Sequence, residues 1–183
     1  MVILDDADVE STAEGAVRAS FSNAGQLCVA TERIYVVEPL FSSRSSEPSS
    51  REPEAIRLGK CALTSTHDMG SLINHDQLER VRAHVEDARA RVRRYCTGGR
   101  HREDLGELFS RAHHVLTDVT PEMDCYAQEA FGPVVSVYPV ASEEEAVAQA
   151  NDSDYGLNAS VWTTDHDRGR GVASKIKCGT VNV

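Results

Sequence analysis

Short runs of β-branched and apolar residues alternate along this chain with longer stretches of helical period. Val2-Ile3-Leu4, Ile34-Tyr35-Val36-Val37, Val115-Leu116, Val134–Val140, Ala159–Trp162 and Thr180–Val183 read as strands. The run from Val134 to Val140 is almost continuously apolar, the pattern of a strand covered on both faces. Between the strands, Val9, Ala13, Ala16, Val17, Ser20, Phe21 and Ala24 fall on one face of a helix. Asp5, Asp6 and Asp8 offer N-cap oxygens in front of it, and Gly25 ends it. Leu78, Val81, Val85, Ala88 and Val92 form the apolar stripe of a second helix. Ser142 followed by Glu143, Glu144 and Glu145 reads as a capped, acidic helix start. Asp165 reads as the cap of a helix reaching about Lys177, with Gly179 beyond its end. Such alternation predicts an α/β fold, a mainly parallel open sheet with flanking helices.

The segments between these elements narrow the function classes. Residues 42–53 hold six serines and two prolines among charges, and read as a mobile loop. Gly98-Gly99 reads as a turn. The arginines from Arg80 to Arg94 lie on the polar side of the second helix and read as a solvated face. At 183 residues the chain suffices for one domain with a real core. Its net charge of −10 argues against nucleic acid or an anionic membrane as partner. No apolar run approaches the roughly 20 residues of a membrane span. The five cysteines are scattered without a CxxC pair, so neither a disulfide framework nor a zinc ribbon is expected, and a cytoplasmic location is. His113 and His114, read as adjacent on a strand, point to opposite faces and do not read as shared metal ligands; no metal site is expected.

The stretch from Phe21 to Arg33 carries the chemistry. A helix ends at glycine, and Cys28 follows within three residues. A thiol so placed can meet backbone amides, whose dipoles favour thiolate and can hold a developing oxyanion. The run Phe21-x-Asn23-x-Gly25-Gln26-x-Cys28-x-Ala30-x-x-Arg33 resembles the catalytic-cysteine signature of the aldehyde dehydrogenase superfamily. Glu129-Ala130-Phe131-Gly132-Pro133-Val134 resembles that family's Glu-x-Phe-Gly-Pro-Val motif. Ala150-Asn151 through Tyr155-Gly156-Leu157, continuing to Asp165, resembles the helix–strand–helix unit that follows. Gly179–Val183 resembles the next strand, and the helix after Gly70-Ser71-Leu72-Ile73 fits as well. These segments keep the family order over about three-quarters of the chain.

The resemblance implies a mechanism. Cys28 would attack the aldehyde carbon to give a thiohemiacetal. Its own backbone N–H would hold the oxyanion. Hydride would leave for NAD or NADP, and water would hydrolyse the resulting thioester to the acid. Glu129 matches the glutamate that accepts hydrogen bonds from the nicotinamide ribose. Phe131 matches the aromatic that packs near the nicotinamide. Other expected parts have no counterpart in the sequence: the general-base glutamate on its Leu-Gly-Gly segment, the asparagine oxyanion donor, and any glycine-rich phosphate cradle. The chain is therefore expected to be a partial catalytic domain, truncated at both ends, without the cofactor-binding domain and inactive by itself. The partner implied is a small-molecule aldehyde. Intact members of the family form homo-oligomers, which a fragment is not expected to do. Gly70-Ser71-Leu72 and Asp5-Asp6-Ala7-Asp8 are similar to the succinate-semialdehyde dehydrogenase branch. Two stretches depart from the family pattern: residues 42–53, usually an amphipathic helix, and Phe109–His114.

Two other readings compete. A non-catalytic paralogue could act as an interaction module that pairs with a full-length homologue through unpaired strand edges. A hydrolytic thiol enzyme would need a histidine beside Cys28, and the sequence places none there.

Overall fold

The computed structural model describes residues 1–38, 40–41, 56–59, 68–91, 95–97, 106, 108 and 114–183. In chain order its elements are β1 (Val2–Ile3), α1 (Val9–Phe21), β2 (Arg33–Val37), α2 (His75–Arg91), β3 (Tyr95–Thr97) and β4 (His114–Leu116). They continue with α3 (Asp124–Ala127), β5 (Val134–Val140), α4 (Glu143–Asn151), β6 (Asn158–Trp162), α5 (His166–Ala173) and β7 (Thr180–Asn182). The described strands form one seven-stranded sheet in the order β3-β4-β5-β2-β1-β6-β7. Neighbours are parallel except β3 and β4, which are antiparallel.

Burial explains why the central strands are so apolar. Residues 34–37 of β2 and both residues of β1 are buried, as are Val134, Val135, Tyr138 and Val140 of β5. In the β2–β5 register Tyr35 stands opposite Tyr138, and their rings stack 5.2 Å apart, with Tyr126 edge-on to Tyr138. β1 is short, but its neighbours extend it. Tyr35 N–H donates to the Met1 carbonyl and Leu4 N–H to that of Trp162. Helix α4 packs on β2, β1 and β5, and α5 packs on β6. On α2 the stripe Val81, Val85 and Ala88 is buried as expected, with His84 buried beside it.

Local cues set the helix starts. Asp8 caps α1, Ser142 caps α4, and Asp165 caps α5 by accepting from the amides of Asp167 and Arg168. The helix ends differ from the sequence reading. Helix α1 stops at Phe21, so Ala24, expected on its apolar face, lies in a tight turn instead. Helix α5 stops at Ala173, short of Lys177. Asn151 accounts for that: its side chain donates to Lys175 O at 2.9 Å and accepts from Lys177 N at 2.7 Å, holding the chain away from the helical path. Strand β3 and the single-turn α3 were not expected. The serine-rich stretch 42–53 and Gly98-Gly99 lie outside the described residues. No helix among the described residues is long and apolar enough to cross a membrane.

Candidate active site

The Cys28 segment begins where α1 stops. Asn23, Ala24 and Gly25 take left-handed backbone with φ of 51°, 57° and 70°. Three such residues in a row reverse the chain. Thr31 N–H then donates to Ala19 O, closing the segment back onto the helix end. Gly25 is required twice, by its positive φ and by space: a Cβ there would sit 2.1 Å from the Gly132 carbonyl oxygen. The Cys28 segment and the segment after Glu129 are thus in backbone contact.

Side chains fix this contact from both sides. Gln26 donates to Ser71 O at 3.3 Å and accepts from Ile73 N–H at 2.8 Å, anchoring the loop that leads into α2. From the first turn of α2, Gln77 donates to the carbonyls of Ala130 at 2.9 Å and Phe131 at 2.7 Å. Arg80 donates to Glu129 O at 2.9 Å. The Glu32 carboxylate accepts from the amides of Ala130 and Phe131, each at 2.9 Å. Burial pushes the Glu32 carboxyl above its ordinary value, and those two amides pull the other way.

Cys28 itself is exposed, and its backbone N–H donates to no acceptor among the described residues. It lines a cavity of about 250 Å³ at the amino ends of β1, β2 and β6. Glu129 lines the same cavity, and among the described residues no group donates to its carboxylate. The structure therefore brings Cys28 and Glu129 together. Phe131, at φ 50°, is two residues beyond Glu129 and does not line the cavity. Leu27 and Val29, on either side of Cys28, expose 38% and 48% of their surface, and Tyr155 and Leu157 across the cavity expose 52% and 56%. Cys125 also reaches the cavity wall, but burial pushes its thiol up to about 11.

Sequence reasoning missed Glu32, Gln77 and Arg80. Glu32 falls in an unspecified position of the cysteine motif, and nothing in the chain order says that it reaches residues about a hundred positions away.

Among the described residues, the arrangement is an accessible thiol whose amide has no acceptor, beside a carboxylate that no group donates to. Known proteins show the same segment. The profile of the Aldehyde dehydrogenase family matches residues 1–183. A Mycobacterium tuberculosis protein, provisionally named succinate-semialdehyde dehydrogenase [NADP(+)] 2, is 47% identical over 185 residues, which cover 100% of this chain and 35% of that protein. Betaine aldehyde dehydrogenase of Cereibacter sphaeroides is 37% identical, over 98% of this chain and 36% of its own length. Among solved structures, betaine aldehyde dehydrogenase from Staphylococcus aureus in complex with NAD+ superposes with a TM-score of 0.88 at 32% identity. It covers 99% of this chain and 36% of its own. The chain spans about a third of the length of these relatives. From its first residue to its last, this chain belongs to the aldehyde dehydrogenase family.

Proposed function

We propose that these residues form the nucleophile-bearing part of an enzyme that oxidises an aldehyde to its carboxylic acid, using NAD or NADP. The observation that carries this reading is the pairing, in one cavity, of an exposed Cys28 with the Glu129 carboxylate, the Cys28 amide and that carboxylate both lacking a partner among the described residues. Succinate semialdehyde is the favoured substrate, since the mycobacterial relatives carry that name.

In the first step the Cys28 thiol gives up its proton to solvent, the thiolate sulfur bonds to the aldehyde carbon, and the carbonyl π pair moves onto oxygen. The Cys28 N–H donates to that oxygen, a placement that stabilises charge as it develops. The Gly25 contact and the Gln26 anchors keep the amide directed while the bond forms. Glu129 would hold the nicotinamide ribose, because a carboxylate that no described residue donates to suits a pair of sugar hydroxyls; Phe131 would lie beside the ring. When bound there, a nicotinamide dinucleotide would supply the hydride acceptor that oxidation of the Cys28 adduct needs. Glu129 and Phe131 reach only that end of the cofactor, and the 183 residues hold no glycine-rich phosphate cradle. By themselves they should neither bind NAD or NADP usefully nor turn over aldehyde, since several charged contacts of roughly 1.5–3 kcal/mol each are missing.

Iodoacetamide labelling at pH 7 tests the nucleophile. Saturating succinate semialdehyde should slow alkylation of Cys28, and succinate should not. Equal alkylation with and without every aldehyde tried would refute the role given to Cys28. Calorimetry with NAD and NADP tests the cofactor part, and micromolar binding by the 183 residues alone would contradict it.

A further inference from the structure

We propose that Glu32 is a positioning residue, whose carboxylate ties the loop of the Cys28 nucleophile to the loop of Glu129 and Phe131 so that the two move as one piece. The functional weight of this tie rests on the roles proposed above for those residues; the tie itself rests on geometry.

Glu32 lies four residues after Cys28, and its backbone is already fixed, because its carbonyl accepts from Ser136 N–H at 2.8 Å at the start of the β2–β5 pairing. From there the side chain spans to the second loop and uses both oxygens. Oε2 takes the Ala130 amide and Oε1 the Phe131 amide, each at 2.9 Å. Two consecutive amides converging on one half-buried carboxylate form charge-assisted bonds, which are stronger than neutral ones. Among the described residues, the charge of Glu129 repels it and that of Arg33 attracts it.

The second loop has need of such a tie. Phe131 holds φ at 50°, a conformation that costs a bulky aromatic residue free energy and persists only where surroundings over-determine it. Here the over-determination is visible: Glu32 holds the Phe131 N–H, and Gln77 holds the Phe131 carbonyl. Gln77 belongs to α2, so it fixes the loop to the scaffold. Glu32 belongs to the nucleophile segment, so it fixes the loop to Cys28. A shorter or neutral side chain at position 32 could not meet both amides with full acceptors.

Amide hydrogen exchange of the 15N-labelled chain, compared for wild type, Glu32→Ala and Glu32→Gln, decides the matter. In Glu32→Ala the Ala130 and Phe131 amides should exchange about tenfold faster or more. The Ala30 and Thr31 amides, whose bonds to Leu27 and Ala19 close the Cys28 loop, should accelerate with them by about threefold or more. Glu32→Gln keeps one acceptor oxygen, so one of the two far amides should stay protected, with a smaller acceleration at Ala30 and Thr31. That graded pattern is not produced by general loosening. Acceleration at Ala130 and Phe131 with Ala30 and Thr31 unchanged would overturn the coupling, and no change at any of the four would overturn the tie. If Glu32→Ala does not fold, Glu32→Gln decides alone: wild-type protection at both far amides would overturn the proposal. Exchange is read without aldehyde or cofactor. A failed tie therefore leaves Cys28 standing as nucleophile, and a Cys28 that no aldehyde protects leaves the tie standing.

Discussion

The two ends of the sheet are built on opposite plans. At the carboxyl ends of β1 and β6 polar groups meet partners. Asp6 accepts from the Thr163 hydroxyl at 2.7 Å, the Thr164 hydroxyl at 2.8 Å, and the amides of Thr164 and Asp165 at 3.0 and 3.1 Å. Arg168 reaches Asp5, Asp6 and Glu143 from α5, joining three segments in one network. At the amino ends Gln26, Glu32, Gln77 and Arg80 tie the loops together, but the Cys28 amide and the Glu129 carboxylate lack partners among the described residues, and four large apolar side chains are exposed nearby. An end whose hydrogen bonds are spent holds the fold together. An end with donors, acceptors and apolar surface unspent can bind something else.

The largest expected contrast lies between thiols that share one cavity. Cys28 is exposed, whereas Cys125 is buried with its thiol pushed up to about 11. At pH 7 only about one Cys125 in ten thousand is then thiolate. Limiting iodoacetamide should label Cys28 ahead of the other four cysteines, and more than about a hundredfold faster than Cys125. Mass spectrometry of the digest reads the order, and earlier labelling of Cys125 would make the amino end an ordinary surface.

Next comes the backbone contact beneath the site. Gly25→Ala must accept positive φ and a Cβ 2.1 Å from a carbonyl oxygen that belongs to backbone. Strain of this kind adds to a clash that no side-chain rotation relieves, so a loss of about 3 kcal/mol or more is expected in urea unfolding. A loss below about 1 kcal/mol would mean that the Cys28 and Phe131 loops are not in contact.

At the saturated end the expected losses are smaller and depend on pH. Burial works against the ionised Asp6, but the bonds from Thr163, Thr164 and Asp165 outweigh it and bring its pKa down to about 2. A carboxyl whose folded pKa is depressed stabilises the fold fully above its unfolded value near 3.8, and that contribution is lost as pH falls through about 2. Asp6→Asn should therefore cost about 2 kcal/mol at pH 7, with the gap to wild type closing between about pH 4 and pH 2. A gap that stays constant over that window would show that charge on Asp6 is irrelevant there.

The same contrast explains what could be read from the sequence. β2, β5 and α4 announce themselves because their determinants are local: β-branched runs, and Ser142 with Glu145, which accepts the Ala141 amide at 2.8 Å as its own amide donates to Ser142. The cysteine and Glu-Ala-Phe-Gly motifs are visible through their resemblance to a family. What holds them together is not, because Gln26 acts 45 and 47 residues away, Gln77 53 and 54, and Glu32 98 and 99. The left-handed turn at Asn23–Gly25 fails for a related reason. Ala24 suits a helix by every local preference, and the chain turns because a distant carbonyl, that of Gly132, lies against Gly25. Strand β3 has three residues at a sheet edge and α3 only four, too few to show a period.

The smallest expected effect has the opposite sign. Gly171 lies inside α5, and a Cβ built on it meets nothing within 4 Å. Glycine in a helix interior gives away free energy to the unfolded chain, because it loses more backbone freedom on folding than alanine does. With no clash to offset that gain, Gly171→Ala should stabilise the chain by about 0.5–1 kcal/mol. It should also leave the alkylation rate of Cys28 unchanged, since Gly171 does not line the Cys28 cavity and an added Cβ meets nothing. Chemical unfolding and labelling on the same preparation read both quantities. Stabilisation with an unchanged rate would show that the saturated end can be reinforced without touching the open one. A changed rate would mean that the two ends are coupled through β6, and that the division of labour between them is less complete than their hydrogen bonds suggest.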